Sequence, residues 1–371
     1  MFAVVFTLLA SILRAADTAF PDVLAPHFEV PAAFAGKLGA FRSPLKLDDG
    51  SMVQTAADWP RRRAEILKYW TGLMGTWPPL LESGKLEVIK EERRENFLQQ
   101  RVKVTTAPGQ NQEGWLLIPD GNGPFPAALV VFYEPETSTG LKAGSKQAFR
   151  DYALQLTRRG FVTLSIGSPG GDARKPDLAG AVCQPLSYHA YVAANCWHAL
   201  ANHSKVDAKR IGVIGHSYGG KWALFAGAMW DKFACVVVSD PGIVFNEARP
   251  NVNYWEPWYL GFDPKSPARK PGLPTPENPA TGPYAQLQKD GRDLTDIHAL
   301  ICPRPLLVSG GSEDPPENWI ALNHAIAVNN VLGVNRRVGM TNRPDHDPNE
   351  AANSVVWAFF EHFLAPNPAR R

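Results

Sequence analysis

The stretch that decides the fold is residues 210–229, RIGVIGHSYGGKWALFAGAM. An apolar run typical of a buried strand leads into Gly215-His216-Ser217-Tyr218-Gly219, and a helical pattern follows. This order matches the Gly-x-Ser-x-Gly turn, in which a serine occupies a strained bend and needs small neighbours. Gly215 and Gly219 supply the room, and the helix directs its dipole at charge forming beside the serine. The stretch therefore predicts that Ser217 is an exposed nucleophile.

Strand-like and helical patterns alternate on both sides of this stretch. Apolar or alternating runs predict strands at 86–90, 97–104, 114–118, 127–133, 161–166, 210–215, 234–239 and 305–309, with a further apolar run at 336–340. Helical patterns occupy 59–74, 147–159, 186–201, 219–229 and 352–364. Such alternation indicates parallel crossover units. The predicted fold class is α/β, with a mostly parallel central sheet and helices on both faces.

The chain divides into three predicted parts. Residues 1–15 carry an apolar run too short to span a bilayer and end at a small-residue cleavage site, which favours an export signal. Residues 16–85 form a segment that packs on the core, and 86–371 form the main domain. Within that domain, the proline- and aromatic-rich stretch 241–285 predicts a cap near the active site. The alternatives are a buried N-terminal element for the first part and a simple surface cover for the cap.

Composition limits the classes of function. The chain has 371 residues, 44% of them hydrophobic and 20% charged, with a net charge of +2. This balance is typical of a globular protein and gives no reason to expect nucleic acid or a membrane as a partner. No metal-binding or phosphate-binding motif is present, so we expect no metal and no cofactor. The four cysteines are too few for a disulfide scaffold, although Cys183 and Cys196 could pair in an oxidising compartment.

A nucleophilic serine needs an imidazole to take its proton and a carboxylate to orient that imidazole. The expected chain order is serine, acid, histidine. Of the nine histidines, His346 is the best candidate, because it lies in a proline-flanked loop before the last helix. Asp314, just beyond the strand at 305–309, is the preferred acid. Asp240 follows the preceding strand and is the alternative.

The developing oxyanion needs two fixed N–H donors. The N–H of Tyr218, the residue after the nucleophile, is expected to be one. The loop after the strand at 127–133 should supply the other. Pro135 has no N–H, so the prediction is Glu134.

These residues resemble those of the α/β-hydrolase superfamily over roughly residues 86–364, close to its dienelactone-hydrolase and acetyl-xylan-esterase branches. The strand AALVVFYE at 127–134 is similar to theirs and places Glu134 at their oxyanion donor. The chain also resembles glucuronoyl esterases, whose serine turn continues with a Gly-Lys pair, here Gly220-Lys221. That resemblance implies that Lys221 contacts a sugar acid, and in some members the acid is at the place of Asp240. Tyr218 departs from that family's arginine, the cap sequence differs, and Lys221 could equally be a solvated helix residue.

The resemblance implies a carboxylic ester hydrolase, and the export signal predicted at residues 1–15 implies that it is periplasmic or extracellular. Its substrate would be a small-molecule or polysaccharide ester of acetyl or glucuronoyl type, from carbohydrate or plant material. Trp255 and Trp258 of the cap are expected to stack on sugar or aryl rings. The alternatives are a peptidase or amidase of the same fold and a catalytically silent binding protein.

Overall fold

One large sheet lies at the centre of the computed structural model, which describes residues 20–142, 144, 148–265 and 269–365. Its strands are β1 (Leu86–Arg94), β2 (Phe97–Ala107), β3 (Gln110–Pro119), β4 (Phe125–Val131), β5 (Val162–Ile166), β6 (Val206–His216), β7 (Val236–Ser239), β8 (Leu306–Gly310) and β9 (Val338–Asn342). The described strands form a nine-stranded sheet in the order β1-β2-β3-β5-β4-β6-β7-β8-β9. The pairs from β5 to β9 are parallel, whereas β1, β2 and β3 pair antiparallel and β3 joins β5 antiparallel. The predicted mostly parallel sheet is confirmed.

Helices cover both faces of this sheet. They are α1 (Trp59–Met74), α2 (Pro135–Ser138), α3 (Tyr152–Arg158), α4 (Pro185–Ala201), α5 (Tyr218–Met229), α6 (Gly282–Lys289), α7 (Thr295–Ile301), α8 (Trp319–Val331) and α9 (Glu350–Leu364). Side chains of α1, α4, α5, α7 and α8 share one apolar cluster, and those of α3 and α9 share another. Neighbouring residues of a strand alternate between the clusters, as Leu129 and Val130 do, because successive side chains of a strand point to opposite faces.

The N-terminal part of the described chain docks through α1. Trp70 is fully buried and meets Phe225 of α5 edge to face, with ring centroids 6.0 Å apart. Its indole N–H donates to Asp296 at 3.1 Å. Asp296 also accepts from the Arg292 guanidinium at 2.7 Å. Buried charges persist only when they are paired. The Trp70–Asp296 hydrogen bond then joins α1 to α7.

The stretch after β7 packs its aromatic residues inward. Tyr254, Trp255 and Tyr259 are each no more than 4% exposed. The Lys221 ammonium of α5 donates to the carbonyls of Pro241 at 2.7 Å and Asn251 at 3.1 Å. This buried cation holds the beginning of the stretch against the helix that follows the nucleophile.

Several sequence predictions differ from the structure or lie outside it. The sequence predicted a helix over 147–159, whereas the described helix in this range is the shorter α3. Phe149 has a φ of 63°, which an α-helix does not allow. Cys183 and Cys196 are buried free thiols, so they do not form a disulfide. The predicted export signal, residues 1–15, lies outside the described residues. Within the described ranges, no helix is long and apolar enough to cross a bilayer.

Close packing of α5 against β4 at Gly219 can be tested by mutation. A Cβ there would lie 2.0 Å from the carbonyl oxygen of Val131, whereas one at Gly72 of α1 would meet nothing within 4 Å. We expect Gly219→Ala to cost more than about 3 kcal/mol of folding free energy. Gly72→Ala, the control, should stabilise by about 0.5–1 kcal/mol, because glycine loses more backbone entropy on folding. Thermal and urea melts measure both, and equal melting of the two variants would contradict the packing argument.

Candidate active site

Ser217 lies at the bend between β6 and α5. Its φ of 56° and ψ of −115° are strained for a residue with a side chain. The backbone around it is held firmly: its N–H donates to the Ser239 carbonyl at 2.7 Å, and its carbonyl accepts from the Lys221 N–H at 3.0 Å. The bend keeps the side chain partly exposed while its neighbours are buried.

A chain of two hydrogen bonds joins Ser217 to an imidazole and a carboxylate. Nε2 of His346 lies 2.8 Å from the Ser217 Oγ. Nδ1 of the same ring lies 2.7 Å from Oδ2 of Asp240. An ionised carboxylate only accepts, so Nδ1 carries the proton and Nε2 is free to accept from the serine. This is the geometry of a nucleophile, a base and an orienting acid.

The acid that contacts His346 is Asp240, and the preferred prediction of Asp314 is wrong. Oδ1 of Asp240 accepts backbone N–H bonds from Gly311 at 2.7 Å, Asp314 at 2.9 Å and Glu313 at 3.1 Å. The turn after β8 therefore supplies its backbone, rather than its carboxylate, to the site. It surrounds Oδ1 of Asp240, while Oδ2 faces the imidazole and is reached by one N–H of the turn, that of Glu313, at 3.3 Å.

Asp314 points away from the histidine. Its two oxygens accept from the N–H groups of Gly242 at 2.9 Å and Ile243 at 2.6 Å, and from the Asn318 amide at 2.9 Å. Burial, and then the negative charge of Asp240, raise the pKa of Asp314 to about 7. Asp314 thus fastens the beginning of the cap to the turn after β8.

Arg343 holds the histidine loop in place, a role that the sequence did not reveal. Its guanidinium donates to the carbonyls of Ser309 and His346, both at 2.7 Å. It also donates to the Ser239 hydroxyl at 3.3 Å and to the Asp347 carbonyl at 2.7 Å. The arginine was visible three positions before His346, but its inward direction depends on the fold. It ties the loop to the ends of β7 and β8.

The two predicted oxyanion donors stand at the N-terminal ends of α5 and α2, which follow β6 and β4. Tyr218 is the first residue of α5, so its N–H has no partner within the helix. Glu134 follows β4 and precedes α2. Its carboxylate is occupied at the surface, accepting from Thr137 at 2.5 Å and Lys142 at 2.9 Å. Only its backbone N–H could take the predicted part.

Tyr133 is a further residue at the site that the sequence analysis missed. Desolvation raises the pKa of its phenol, and hydrogen bonding by the Ser217 side chain opposes that rise. The phenol therefore lies beside the nucleophile. Its ring stacks on Tyr218 with centroids 4.8 Å apart and planes at 27°. Its position beside Glu134 was the available signal, but sequence alone does not give the side chain's direction.

The side chain of Tyr218 is anchored in the core. Its hydroxyl lies 2.5 Å from Nε2 of His189, whose Nδ1 lies 2.6 Å from the Pro185 carbonyl. Because a carbonyl only accepts, Nδ1 carries the proton and Nε2 accepts from the tyrosine. Burial lowers the pKa of His189 to about 4, so this ring is neutral at pH 7. The anchor fixes the plane on which Tyr133 stacks.

Of the three residues predicted to contact a substrate, two are buried and one is accessible. Lys221 is 2% exposed and lies under the rings of Tyr254 and Tyr259, at 5.1 and 5.4 Å from their centroids. Burial lowers its pKa to about 8. Trp255 is 1% exposed. As placed, neither side chain can contact a substrate, because the cap covers both, so these two predictions are corrected. Trp258 is half-buried and remains accessible.

Comparisons with known protein sequences agree with this geometry. The model of the prolyl oligopeptidase family matches residues 148–268, which include Ser217 and Asp240. A curated relative, the 4-O-methyl-glucuronoyl methylesterase of Neurospora crassa, is 25% identical over 217 residues. That match covers 57% of this chain and 51% of the relative. The chain thus spans about half the length of the curated relative that it matches.

Solved structures define the fold class. A glucuronoyl esterase from Solibacter usitatus superposes with a TM-score of 0.67 at 18% identity, covering 86% of this chain and 97% of that one. A putative acetyl xylan esterase from Bacteroides fragilis superposes with a TM-score of 0.51 at 15% identity, covering 87% and 85% of the two chains. The chain has the α/β-hydrolase fold. Its predicted resemblance to glucuronoyl esterases and acetyl xylan esterases is confirmed.

The contrast between the two aspartates generates a test of the site. We expect Asp240→Asn to slow phosphonylation of Ser217 by a fluorophosphonate at least about a hundredfold, because asparagine favours the wrong imidazole tautomer. Asp314→Asn, the matched control, should slow it less than about fivefold, because Asp314 makes no bond to His346. Intact-mass kinetics measure both rates, on protein that circular dichroism shows to be folded. A larger loss in the Asp314 variant would restore the first prediction.

Proposed function

We propose that this chain is a serine carboxylic ester hydrolase acting on a carbohydrate or plant-derived ester of acetyl or glucuronoyl type. The observation that carries the proposal is the chain of contacts from Ser217 through His346 to Asp240, at 2.8 and 2.7 Å. A serine activated in this way is suited to acyl transfer. The curated relative, which acts on a glucuronoyl methyl ester by its name, supports the choice of substrate class.

In the proposed reaction, His346 accepts the Ser217 proton as Oγ attacks the ester carbonyl. The resulting tetrahedral intermediate collapses, the C–O bond to the alcohol breaks, and His346 donates its proton to the departing oxygen. Water then attacks the acyl-enzyme with His346 again as base, which releases the acid and restores the serine. Asp240 accepts from Nδ1 throughout and stabilises the imidazolium that forms in each half-reaction.

The oxyanion is stabilised in this proposal by the Tyr218 N–H, at the positive end of α5. The second donor comes from the loop after β4. That loop offers the Glu134 N–H, as the sequence predicts, and the phenol of Tyr133, which lies beside Ser217. A phenol donates to a developing oxyanion as a backbone N–H does. Tyr133 is therefore part of the proposed site.

A peptidase or amidase is the second candidate, because the prolyl oligopeptidase family model matches the segment that contains the nucleophile. The chemistry of the two candidates differs only in the leaving group. Esters and anilides of the same acyl group therefore discriminate between them.

Export of the chain remains a prediction.

The proposal is tested with 4-nitrophenyl acetate, methyl glucuronate, acetylated xylan and an acyl 4-nitroanilide. We expect wild-type protein to hydrolyse the esters, and Ser217→Ala to lose at least about a thousandfold in kcat, because no other group forms the acyl-enzyme. Equal turnover by the two proteins would refute the assignment. Faster cleavage of the anilide than of the esters would establish the peptidase instead.

Tyr133→Phe tests the phenol. We expect kcat for the ester to fall between about tenfold and a hundredfold with little change in KM, because the donor acts on charge that develops in the transition state. Tyr188→Phe is the control, since it removes a buried phenol that donates to Gln110 at 2.8 Å. The control should lose stability but keep its kcat. A normal kcat in Tyr133→Phe would leave the Glu134 N–H as the second donor.

A further inference from the structure

Arg174 is an exposed arginine near the proposed site. Arg174 belongs to the loop between β5 and α4, at the carboxyl edge of the sheet, where Ser217 also lies. Its side chain is exposed and lies over the face of Trp258, at 5.6 Å from the ring centroid. Among the described residues, no carboxylate forms an ion pair with it. The Asp172 carboxylate beside it accepts the backbone N–H of Arg174 at 2.8 Å.

A continuous series of ring contacts connects Arg174 to the nucleophile. Trp258 meets Tyr259 at 6.2 Å, Tyr259 meets Tyr218 at 6.3 Å, and Tyr218 stacks on Tyr133 at 4.8 Å between centroids. Burial raises the pKa of the Tyr133 phenol, and the positive charge of Arg174 is among the influences that oppose this rise. Arg174 is therefore linked to Ser217 through these ring contacts and acts electrostatically on the phenol beside it.

Two other charged residues near this part of the site, Arg150 and Glu256, are each in an ion pair. The charge of Arg150 also opposes the rise in the pKa of Tyr133. Arg150, however, forms an ion pair with Asp347. Glu256 lies on the cap side, where it accepts from the Gly272 N–H at 2.8 Å and faces Arg269 at 3.5 Å. Burial raises the pKa of Glu256, and the charges of Arg269 and then Arg174 oppose that rise, although of the two only Arg269 is in an ion pair with it. A planar guanidinium that lies over an aromatic face and, within the described chain, forms no ion pair is suited to a carboxylate.

We propose that Arg174 and Trp258 form a subsite beside Ser217 that binds a free carboxylate of the substrate, distinct from the ester under attack. The substrate class is then an acidic ester, such as an ester on a saccharide or aryl acid that carries a second, ionised carboxyl group. The ring of Trp258 packs against the body of that group while Arg174 pairs with its charge. This inference rests on the proposed hydrolase function and adds a charge preference to it.

Two pairs of substrates test the subsite, each pair differing only in a remote carboxylate. The first is 4-acetoxybenzoate with 4-acetoxybenzamide, which places the charge on the alcohol side. The second is mono-4-nitrophenyl adipate with its terminal amide, which places it on the acyl side. We expect Arg174→Gln to lower kcat/KM for the carboxylate member of at least one pair about tenfold or more, and for the amide members less than about twofold. Arg174→Lys should retain part of the preference, as a point charge without the planar fork.

Arg159→Gln is the matched control, because Arg159 also lies over a tryptophan, 5.1 Å from the Trp357 ring centroid, on the α3 and α9 side. It should leave all four rates unchanged.

The wild-type preference for the carboxylate should also weaken between about 20 mM and about 500 mM salt, as screening predicts. Equal loss on charged and neutral members, or no loss on either, would overturn the subsite while the hydrolase function stands. If wild-type protein cleaves none of the esters in a Ser217-dependent way, the proposed function itself fails.

Discussion

Ser217 occupies a backbone conformation that residues with side chains rarely adopt, and the packing around it makes that conformation possible. The bend brings the first turn of α5 so close to β4 and β6 that Cβ atoms at Gly215 and Gly219 would lie 2.1 and 2.0 Å from backbone oxygens. Such contact is open only to glycine. The close approach directs the serine to the carboxyl edge of the sheet and places the N–H of Tyr218 in the first turn of α5, where it has no partner within the helix. The other features of the site are arranged around this bend.

The parallel sheet supplies those features because the carboxyl ends of its strands meet at one edge. Asp240 follows β7, the turn at Gly311 follows β8, and the loop of His346 follows β9. Each contributes something different. One gives a carboxylate, one gives the N–H groups that surround it, and one gives the imidazole, which Arg343 ties to its neighbours. Residues more than a hundred positions apart in the chain thereby form one hydrogen-bonded unit.

The two cations discussed for this site differ in exposure: Lys221 is buried and Arg174 is exposed. Lys221, which the family resemblance placed against a substrate, donates instead to two cap carbonyls and lies beneath two tyrosine rings. It contributes to the attachment of the cap. Accessible groups near Ser217 are instead the rings of Tyr133 and Trp258 and the guanidinium of Arg174. The proposed subsite therefore assigns substrate recognition to the loops after β4 and β5 as well as to the cap.

The sequence by itself determined the alternation of strands and helices, the bend at Ser217 and the choice of His346, because each depends on local spacing or on a residue type that the backbone requires. Asp240 and Asp314 both follow sheet strands, so spacing could not separate them. The tertiary structure decided between them, through the direction in which the turn after β8 presents its N–H groups. It also decided the roles of Tyr133 and Arg343 and the burial of Lys221 and Trp255. These are directions of side chains relative to distant segments, and only the packing of those segments sets them.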